Sequence, residues 1–159
     1  MNLKRKVVKI SDMKISSNVN EYLVTYSLGS CIAVSSFDTS LKIGAMIHLL
    51  LPDSSIIESI SNPFKFADTG IPLMLKRMAK LGCKKKNLIT KISGAANVMN
   101  KNSFFDVGKK NYLAVRRILW MNNIMINGED VGGTKSRTVK LFIKTGKTSI
   151  SNSMEEYEI

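Results

Sequence analysis

This chain of 159 residues has one histidine and two cysteines, which limits the residues that could carry out nucleophilic catalysis by a thiol and an imidazole. Cys31 lies seventeen residues before His48, whereas Cys83 stands among lysines with no second histidine to serve it. A neighbouring imidazole lowers the pKa of a thiol and can later protonate a leaving group. The pair Cys31 and His48 is therefore a candidate for nucleophilic catalysis by a cysteine. It also predicts that Cys31 alkylates at a lower pH than an ordinary thiol. Cys83 is interpreted as structural.

Two strands joined by a short turn would bring this pair together. Residues 31–37 and 42–51 have the composition of strands, and turn-forming residues separate them. A turn centred between Thr39 and Ser40 places Cys31 directly opposite His48. Their Cβ atoms would then lie roughly 4.5–5.5 Å apart on one face, and a slip of one residue would separate them.

The strand that precedes Cys31 offers groups to complete such a site. Thr25 and Ser27 carry hydroxyls that could orient the imidazole. Gly29 permits a tight turn and the close approach of a substrate. Backbone N–H groups near Ser30 and Cys31 could form an oxyanion hole. The alternative is that the cysteine and the histidine are small core residues, which is the commoner role of both types in an apolar strand.

The rest of the sequence predicts one α+β domain over residues 1–150. We expect a single layered domain of mixed β-sheets flanked by two or three helices. The polar and acidic segment 151–159 is expected to be a flexible tail. The predicted strands outside the hairpin are 22–26, 88–93, 124–127 and 139–144, and the predicted helices are 68–81 and 109–121.

The charge and composition restrict the partners. Lys and Arg number 24 against 12 Asp and Glu, so the net charge of +12 predicts an anionic partner such as nucleic acid, a membrane surface or an acidic protein. Too few Cys and His are present for a zinc site, and no metal or cofactor is expected. The chain has no apolar run of about 20 residues and no secretory signal, which predicts a cytoplasmic protein without membrane insertion.

Six segments follow one another in a specific order. They are TYSLGSCIAV (25–34), DTSLKIGAMIHLLLP (38–52), FADTGIPLMLKRMAKLG (66–82), KISGAANV (91–98), DVGKKN (106–111) and GEDVGG (128–133), the last followed by Arg137-Thr138. This ordered set resembles CheD, the chemoreceptor glutamine deamidase family of bacterial chemotaxis. The resemblance extends from about Tyr22 to about Gly146.

The resemblance implies a fold similar to a toxin-type cysteine deamidase domain and a Cys–His–Thr triad. Carried over by position, Cys31 is the nucleophile, His48 the general base and acid, and Thr25 the third member. The implied substrate is a glutamine on the cytoplasmic helices of a chemoreceptor, which becomes glutamate. Hydrolysis of glutamyl methyl esters is also implied.

The resemblance further implies a CheC-type phosphatase as a partner. The apolar pair Phe104 and Phe105 is a candidate docking point for a partner, and the alternative is that both belong to the core. The chain departs from the family pattern at Ser93, Lys110 and Ser136, and these departures bear on turnover and substrate positioning.

Two other functions stay open. One is a catalytically weak adaptor that binds the receptor or the phosphatase without turnover. The other is a basic nucleic-acid-binding module, against which stand the scattered basic residues, the few aromatic residues and the lack of a recognisable motif.

Overall fold

The computed structural model describes residues 2–55, 57–99 and 106–159. The strands are Lys4–Val7 (β1), Asp12–Ser16 (β2), Glu21–Leu28 (β3), Ile32–Asp38 (β4), Ile43–Leu49 (β5), Leu88–Gly94 (β6), Ile126–Val131 (β7), Arg137–Phe142 (β8), Thr148–Ser151 (β9) and Glu156–Glu158 (β10). The α-helices are Ala67–Lys80 (α1) and Val107–Met121 (α2). Short 3-10 turns at Pro63–Lys65 and Lys85–Asn87 lead into α1 and β6.

The strands form two five-stranded sheets. The central sheet has the order β2-β5-β4-β6-β7, and the outer sheet has the order β1-β3-β8-β9-β10. One apolar cluster joins the central sheet to α1 and α2, and a second cluster lies between the two sheets. The molecule therefore has three layers, which are helices, central sheet and outer sheet. The predicted α+β class with mixed sheets and flanking helices is confirmed.

Strands β4 and β5 lie in the middle of these layers and every one of their residues is buried. A strand covered on both faces needs apolar residues at consecutive positions, which explains the run IGAMIHL in β5. Helix α1 packs closely on this strand, since a Cβ added at Gly70 would lie 2.7 Å from Cδ1 of Ile47.

The predicted β4–β5 hairpin exists, but its pairing differs from the expected one. Ala33, and not Cys31, lies opposite His48, and Cys31 comes just before β4. The expected direct pairing of Cys31 with His48 is therefore wrong. The pairing is offset by two positions, which preserves the face, so both side chains still stand on the same side of the central sheet.

The turn of this hairpin accounts for the offset. Asp38 stays in the ladder and pairs with Ile43. Its carboxylate accepts hydrogen bonds from the backbone N–H groups of Ser40 (2.9 Å) and Leu41 (2.8 Å). The turn thus starts one residue later than expected, and it closes through Lys42 in the left-handed region at φ 56°.

The acidic C-terminal segment differs from the flexible tail expected at 151–159. Strand β10 pairs with β9 at the edge of the outer sheet. Glu156 lies 3.6 Å from Lys140 of β8, and Glu158 lies 3.4 Å from Lys147, just before β9. Two of the three acidic residues that suggested a solvated tail are therefore paired with lysines of other segments. The hydroxyl of Tyr157 also donates to Asp130 of β7.

Other strands were missed for related reasons. Strand β1 (KRKV) lies at the edge of the outer sheet, and its first two residues are exposed. Edge strands tolerate charge, so they lack the alternation that identifies a strand in a sequence. In the part of the chain that the structure describes, neither helix has the length and apolar character of a membrane crossing.

Candidate active site

The candidate site begins with a contact between the two sheets. His48 stands on β5 of the central sheet, and Thr25 stands on β3 of the outer sheet. Their side chains meet with Oγ1 of Thr25 2.7 Å from Nδ1 of His48, and both residues are at most 1% exposed. The contact expected between Thr25 and His48 is present, and it joins the two sheets.

A second hydrogen bond of Thr25 determines which nitrogen of His48 carries the proton. Oγ1 of Thr25 lies 2.7 Å from the carbonyl oxygen of Val8. A carbonyl oxygen can only accept, so the single hydroxyl proton of Thr25 goes to Val8. Nδ1 of His48 must then donate to Oγ1, which leaves Nε2 without a proton. Nε2 is buried and has no hydrogen-bond partner. A bare imidazole nitrogen held in this way is suited to act as a general base.

Cys31 comes just before β4, two residues from Ala33, which is the ladder partner of His48. It belongs to the apolar cluster between the sheets, together with Ala33, and is 8% exposed. The ladder pairs Ala33 with His48 and ends at Ile32 and Leu49. If the ladder is continued by one residue, Cys31 lies opposite Leu50, and Cys31 and His48 become diagonal neighbours on one face. In sheets, the backbones of such neighbours are on the order of 7–8 Å apart, which is within reach of long side chains.

Burial shifts the pKa values of Cys31 and His48 in the directions that favour their neutral forms. It raises the pKa of the Cys31 thiol, and the opposing effect of the residue's own backbone N–H is smaller. It lowers the pKa of His48 to about 4. At neutral pH the resting site thus holds a thiol and a neutral imidazole. This is the reverse of the low thiol pKa that the sequence predicts, because a buried neutral imidazole supplies no positive charge.

Residues 94–96 pack against the turn that carries Cys31 and hydrogen-bond to its backbone. The backbone N–H of Ala95 donates to the carbonyl oxygen of Cys31, and that of Ala96 donates to Gly29, both at 2.8 Å. Gly94 adopts φ 111°, and a Cβ there would lie 2.4 Å from the Cys31 carbonyl oxygen. Only glycine permits so close an approach.

Two further segments support residues 94–96. Gly108 of α2 packs on Ala95 so closely that a Cβ would lie 2.7 Å from its carbonyl oxygen. The buried guanidinium of Arg137 donates to the carbonyl oxygens of Gly94 (3.3 Å) and Gly132 (2.8 Å), and it pairs with Asp130 (3.3 Å). Three of the family motifs therefore come together next to the Cys31 turn, namely those in 91–98, 106–111 and 128–138.

Sequence reasoning missed the part that Asn111 and Arg137 play in this support. Asn111 is fully buried, and its Nδ2 donates to the carbonyl oxygens of Ser30 (2.9 Å) and Leu50 (3.1 Å). Asn111 could have been recognised as a polar residue on the apolar face of an amphipathic helix. Arg137 could have been recognised as an arginine within a strand pattern.

The other predicted site residues are placed as follows. Gly29 is half-buried and Ser30 is exposed, next to Cys31. Ser27 is exposed, at φ 55°, in the bulge between Thr25 and Leu28. Phe104 and Phe105 lie outside the described residues. Of the departures from the family pattern, Ser93 is buried in β6, whereas Lys110 and Ser136 are exposed.

Two solved structures resemble this fold weakly. One is the hypothetical protein YfiH of Bacillus licheniformis, with a TM-score of 0.48 and 13% identity over 75% of this chain and 49% of that one. The other is a Neisseria meningitidis protein of the family model DUF152, with a TM-score of 0.49 and 10% identity over 83% of this chain and 63% of that one. At these scores neither match supports an argument about the site. The likeness to a toxin deamidase domain stays a prediction.

Sequence relatives are much closer. The chain is 47% identical over 149 residues to the probable chemoreceptor glutamine deamidase CheD 1 of Syntrophus aciditrophicus (strain SB), with 92% of this chain and 93% of that protein covered. It is 41% identical to the probable chemoreceptor glutamine deamidase CheD of Solibacter usitatus (strain Ellin6076), with 96% and 92% covered. It is also 41% identical to that of Clostridium botulinum (strain Eklund 17B / Type B), with 90% of each covered.

The family model described as CheD chemotactic sensory transduction matches residues 50–152, which hold the supporting motifs. The relatives extend the likeness over more than nine-tenths of the chain. The resemblance inferred from the six segments is confirmed, and this chain belongs to the CheD family.

Proposed function

We propose that this chain is a cysteine amidohydrolase that converts glutamine side chains of chemoreceptors to glutamate. The observation that carries the proposal is the buried imidazole of His48, which Thr25 holds with a bare Nε2 and which pairs in the ladder with Ala33, two residues after Cys31. The relatives are named probable chemoreceptor glutamine deamidases, and these names supply the substrate class.

The first half-reaction transfers the acyl group to the enzyme. Nε2 of His48 takes the thiol proton as Sγ of Cys31 attacks the carboxamide carbon. The carbonyl π electrons move to oxygen, and backbone N–H groups of the Ser30–Cys31 turn stabilise the oxyanion. The imidazolium returns its proton to the amide nitrogen, the C–N bond breaks, and ammonia leaves a thioester.

The second half-reaction restores the enzyme. Nε2 of His48 removes a proton from water, and the hydroxide adds to the thioester carbon. Collapse of this intermediate breaks the C–S bond, the thiol regains its proton, and the product is glutamate. Throughout, Thr25 stabilises the imidazolium and keeps its ring in place. A glutamyl methyl ester reacts by the same steps, with methanol leaving in place of ammonia.

The partners follow from the charge and from the family. The net charge of +12 favours association with acidic helices of a receptor. The resemblance to the family adds a CheC-type phosphatase as a second protein partner. Phe104 and Phe105 are the proposed contact with a partner.

Mass spectrometry of a chemoreceptor cytoplasmic fragment tests this function. The fragment is incubated with the parent protein, with Cys31→Ala and with Cys83→Ala as a matched control. We expect conversion of glutamine to glutamate with the parent and the Cys83 variant, because the second thiol has no part in the mechanism. We expect none with Cys31→Ala. Turnover that survives loss of Cys31 would overturn the proposal, and binding without conversion would instead support an adaptor.

A further inference from the structure

Two buried side-chain polar atoms in the described part of the chain lack a hydrogen-bond partner. One is Nε2 of His48, which the proposed reaction uses, and the other is Oδ1 of Asn111. Buried polar atoms in proteins are nearly always paired, so an unpaired atom calls for an explanation. The second of these residues is tied to the segment that carries Cys31, since Nδ2 of Asn111 donates to the carbonyl oxygen of Ser30.

The orientation of the Asn111 carboxamide follows from its two partners. Its nitrogen lies 2.9 Å from the carbonyl oxygen of Ser30 and 3.1 Å from that of Leu50. Both partners only accept hydrogen bonds, so the group facing them must be the NH₂ group, which uses its two protons there. The unpaired Oδ1 is the consequence of directing both donors to these carbonyls.

These two carbonyls belong to the chain segments that bear Cys31 and His48. The backbone ladder between β4 and β5 ends with the pair Ile32 and Leu49. Ser30 immediately precedes Cys31, and Leu50 lies two residues after His48. Asn111 therefore bridges the two segments just beyond the last ladder pair, where the hairpin itself no longer sets their separation.

The helix provides no local reason for an asparagine at this position. Asn111 is the fifth residue of α2, where asparagine is a poor helix former, and it is fully buried. The neighbouring buried positions of the same helix, Val115 and Leu119, are apolar. An apolar residue at 111 would leave no unpaired Oδ1, but the carbonyl oxygens of Ser30 and Leu50 would then lose their hydrogen bonds from this side chain.

We propose that Asn111 is a positioning residue of the candidate active site. Its carboxamide ties the Cys31 turn to the end of β5 and thereby sets the geometry in which Nε2 of His48 takes the thiol proton. Asn111 acts through the backbone and touches neither substrate nor the reacting atoms. The inference rests on the proposed deamidase function.

Asn111→Asp tests the proposal with the smallest change of shape, because one oxygen replaces the NH₂ group and then faces two carbonyl oxygens. The matched control is Asn122→Asp, at the end of the same helix, where Nδ2 donates to the carbonyl oxygen of Ile118 (2.8 Å). With the receptor fragment as substrate, we expect Asn111→Asp to lower kcat about 100-fold, since small displacements of reacting groups cost this much. KM should change little in Asn111→Asp, and both constants should change little in the control.

A second measurement needs no substrate. Alkylation of Cys31 and Cys83 by iodoacetamide is followed in the same molecule over a range of pH, with peptide mapping to separate the two. In Asn111→Asp we expect Cys31 to react more slowly at neutral pH, because Nε2 of His48 is no longer placed to take the thiol proton. Cys83 should be unchanged. If the parent does not deamidate the fragment, the proposed function fails, but the ratio of the two alkylation rates still tests Asn111.

The outcomes separate a positioning role from a structural one. Unchanged kcat and unchanged alkylation of Cys31 in Asn111→Asp would overturn the proposal. So would parallel changes at Cys31 and Cys83 together with a lowered Tm. If Asn111→Asp does not fold, Asn111→Ser decides the question, because its hydroxyl retains one donor and should give a smaller loss of kcat in the same direction.

Discussion

The imidazole of His48 links the chemistry of the candidate site to the stability of the fold. Burial lowers its pKa to about 4 from an ordinary value of 6.5. The folded chain therefore resists protonation over a range of pH in which the unfolded chain accepts a proton. The same neutrality keeps Nε2 available as a base at neutral pH.

This linkage predicts an acid-labile fold. Above pH 6.5 the imidazole is neutral in both states and its contribution to stability is complete. As the pH falls from 6.5 towards about 4, the unfolded state binds more protons, so the free energy of unfolding falls by about 3 kcal/mol on this account. Urea denaturation of the parent and of His48→Gln, at neutral pH and near pH 4, measures the effect.

In that experiment, His48→Gln is the control for the parent protein. Carboxylates also titrate near pH 4, but they do so in both proteins, so the difference between the two pH dependences isolates His48. We expect the smaller loss of stability in His48→Gln. Equal losses in the two proteins would mean that the imidazole is not held neutral by burial.

At the scale of elements, the Cys31 turn depends on close contact between three backbone segments. Residues 94–96 hydrogen-bond to it, and α2 presses on those residues at Gly108. Helix α2 begins at Val107 because Asp106 caps it, its carboxylate accepting from the backbone N–H of Lys109 at 3.0 Å. The helix start is therefore part of the support for the Cys31 turn.

Gly108→Ala should destabilise the protein, although alanine is the better helix former. The added Cβ would lie 2.7 Å from the carbonyl oxygen of Ala95, so the helix or the loop must shift. Overpacking of this kind costs about 1–3 kcal/mol, against a gain of up to about 1 kcal/mol in helix propensity. Urea denaturation gives the free energy of unfolding.

Gly128→Ala is the matched control for that substitution. A Cβ at this position on β7 would meet its nearest atom at 3.6 Å, an ordinary contact. We expect its free energy of unfolding to stay within about 0.5 kcal/mol of the parent. A stabilised Gly108→Ala would show that α2 does not press on the Cys31 support.

For the whole molecule, the charge predicts how the protein meets an acidic partner. With kcat/KM measured on the receptor fragment, we expect roughly a tenfold fall between low salt and about 0.5 M salt, because salt screens the attraction between exposed charges. Alkylation of Cys31 by neutral iodoacetamide provides the control and should not respond. Salt-independent kcat/KM would contradict a role of the basic surface in substrate association.

The sequence by itself determined the candidate site residues Cys31 and His48 and the faces on which they stand. Strands around Cys31 and His48 follow from apolar runs and turn residues, and a shift of two positions in pairing leaves the shared face unchanged. Helices α1 and α2 follow from their spacing of apolar residues. These features depend on neighbours in the chain, which is why pattern predicts them.

The tertiary structure decided what surrounds those residues. Thr25 reaches His48 from another sheet, and Asn111 reaches the Cys31 turn from a helix eighty residues away. The two glutamates of β10 pair with Lys140 of β8 and with Lys147, just before β9. The two pKa shifts also arise only after burial, and for Cys31 the direction is opposite to that predicted from a neighbouring histidine. Each of these depends on which distant segment covers a face, and chain periodicity does not encode that information.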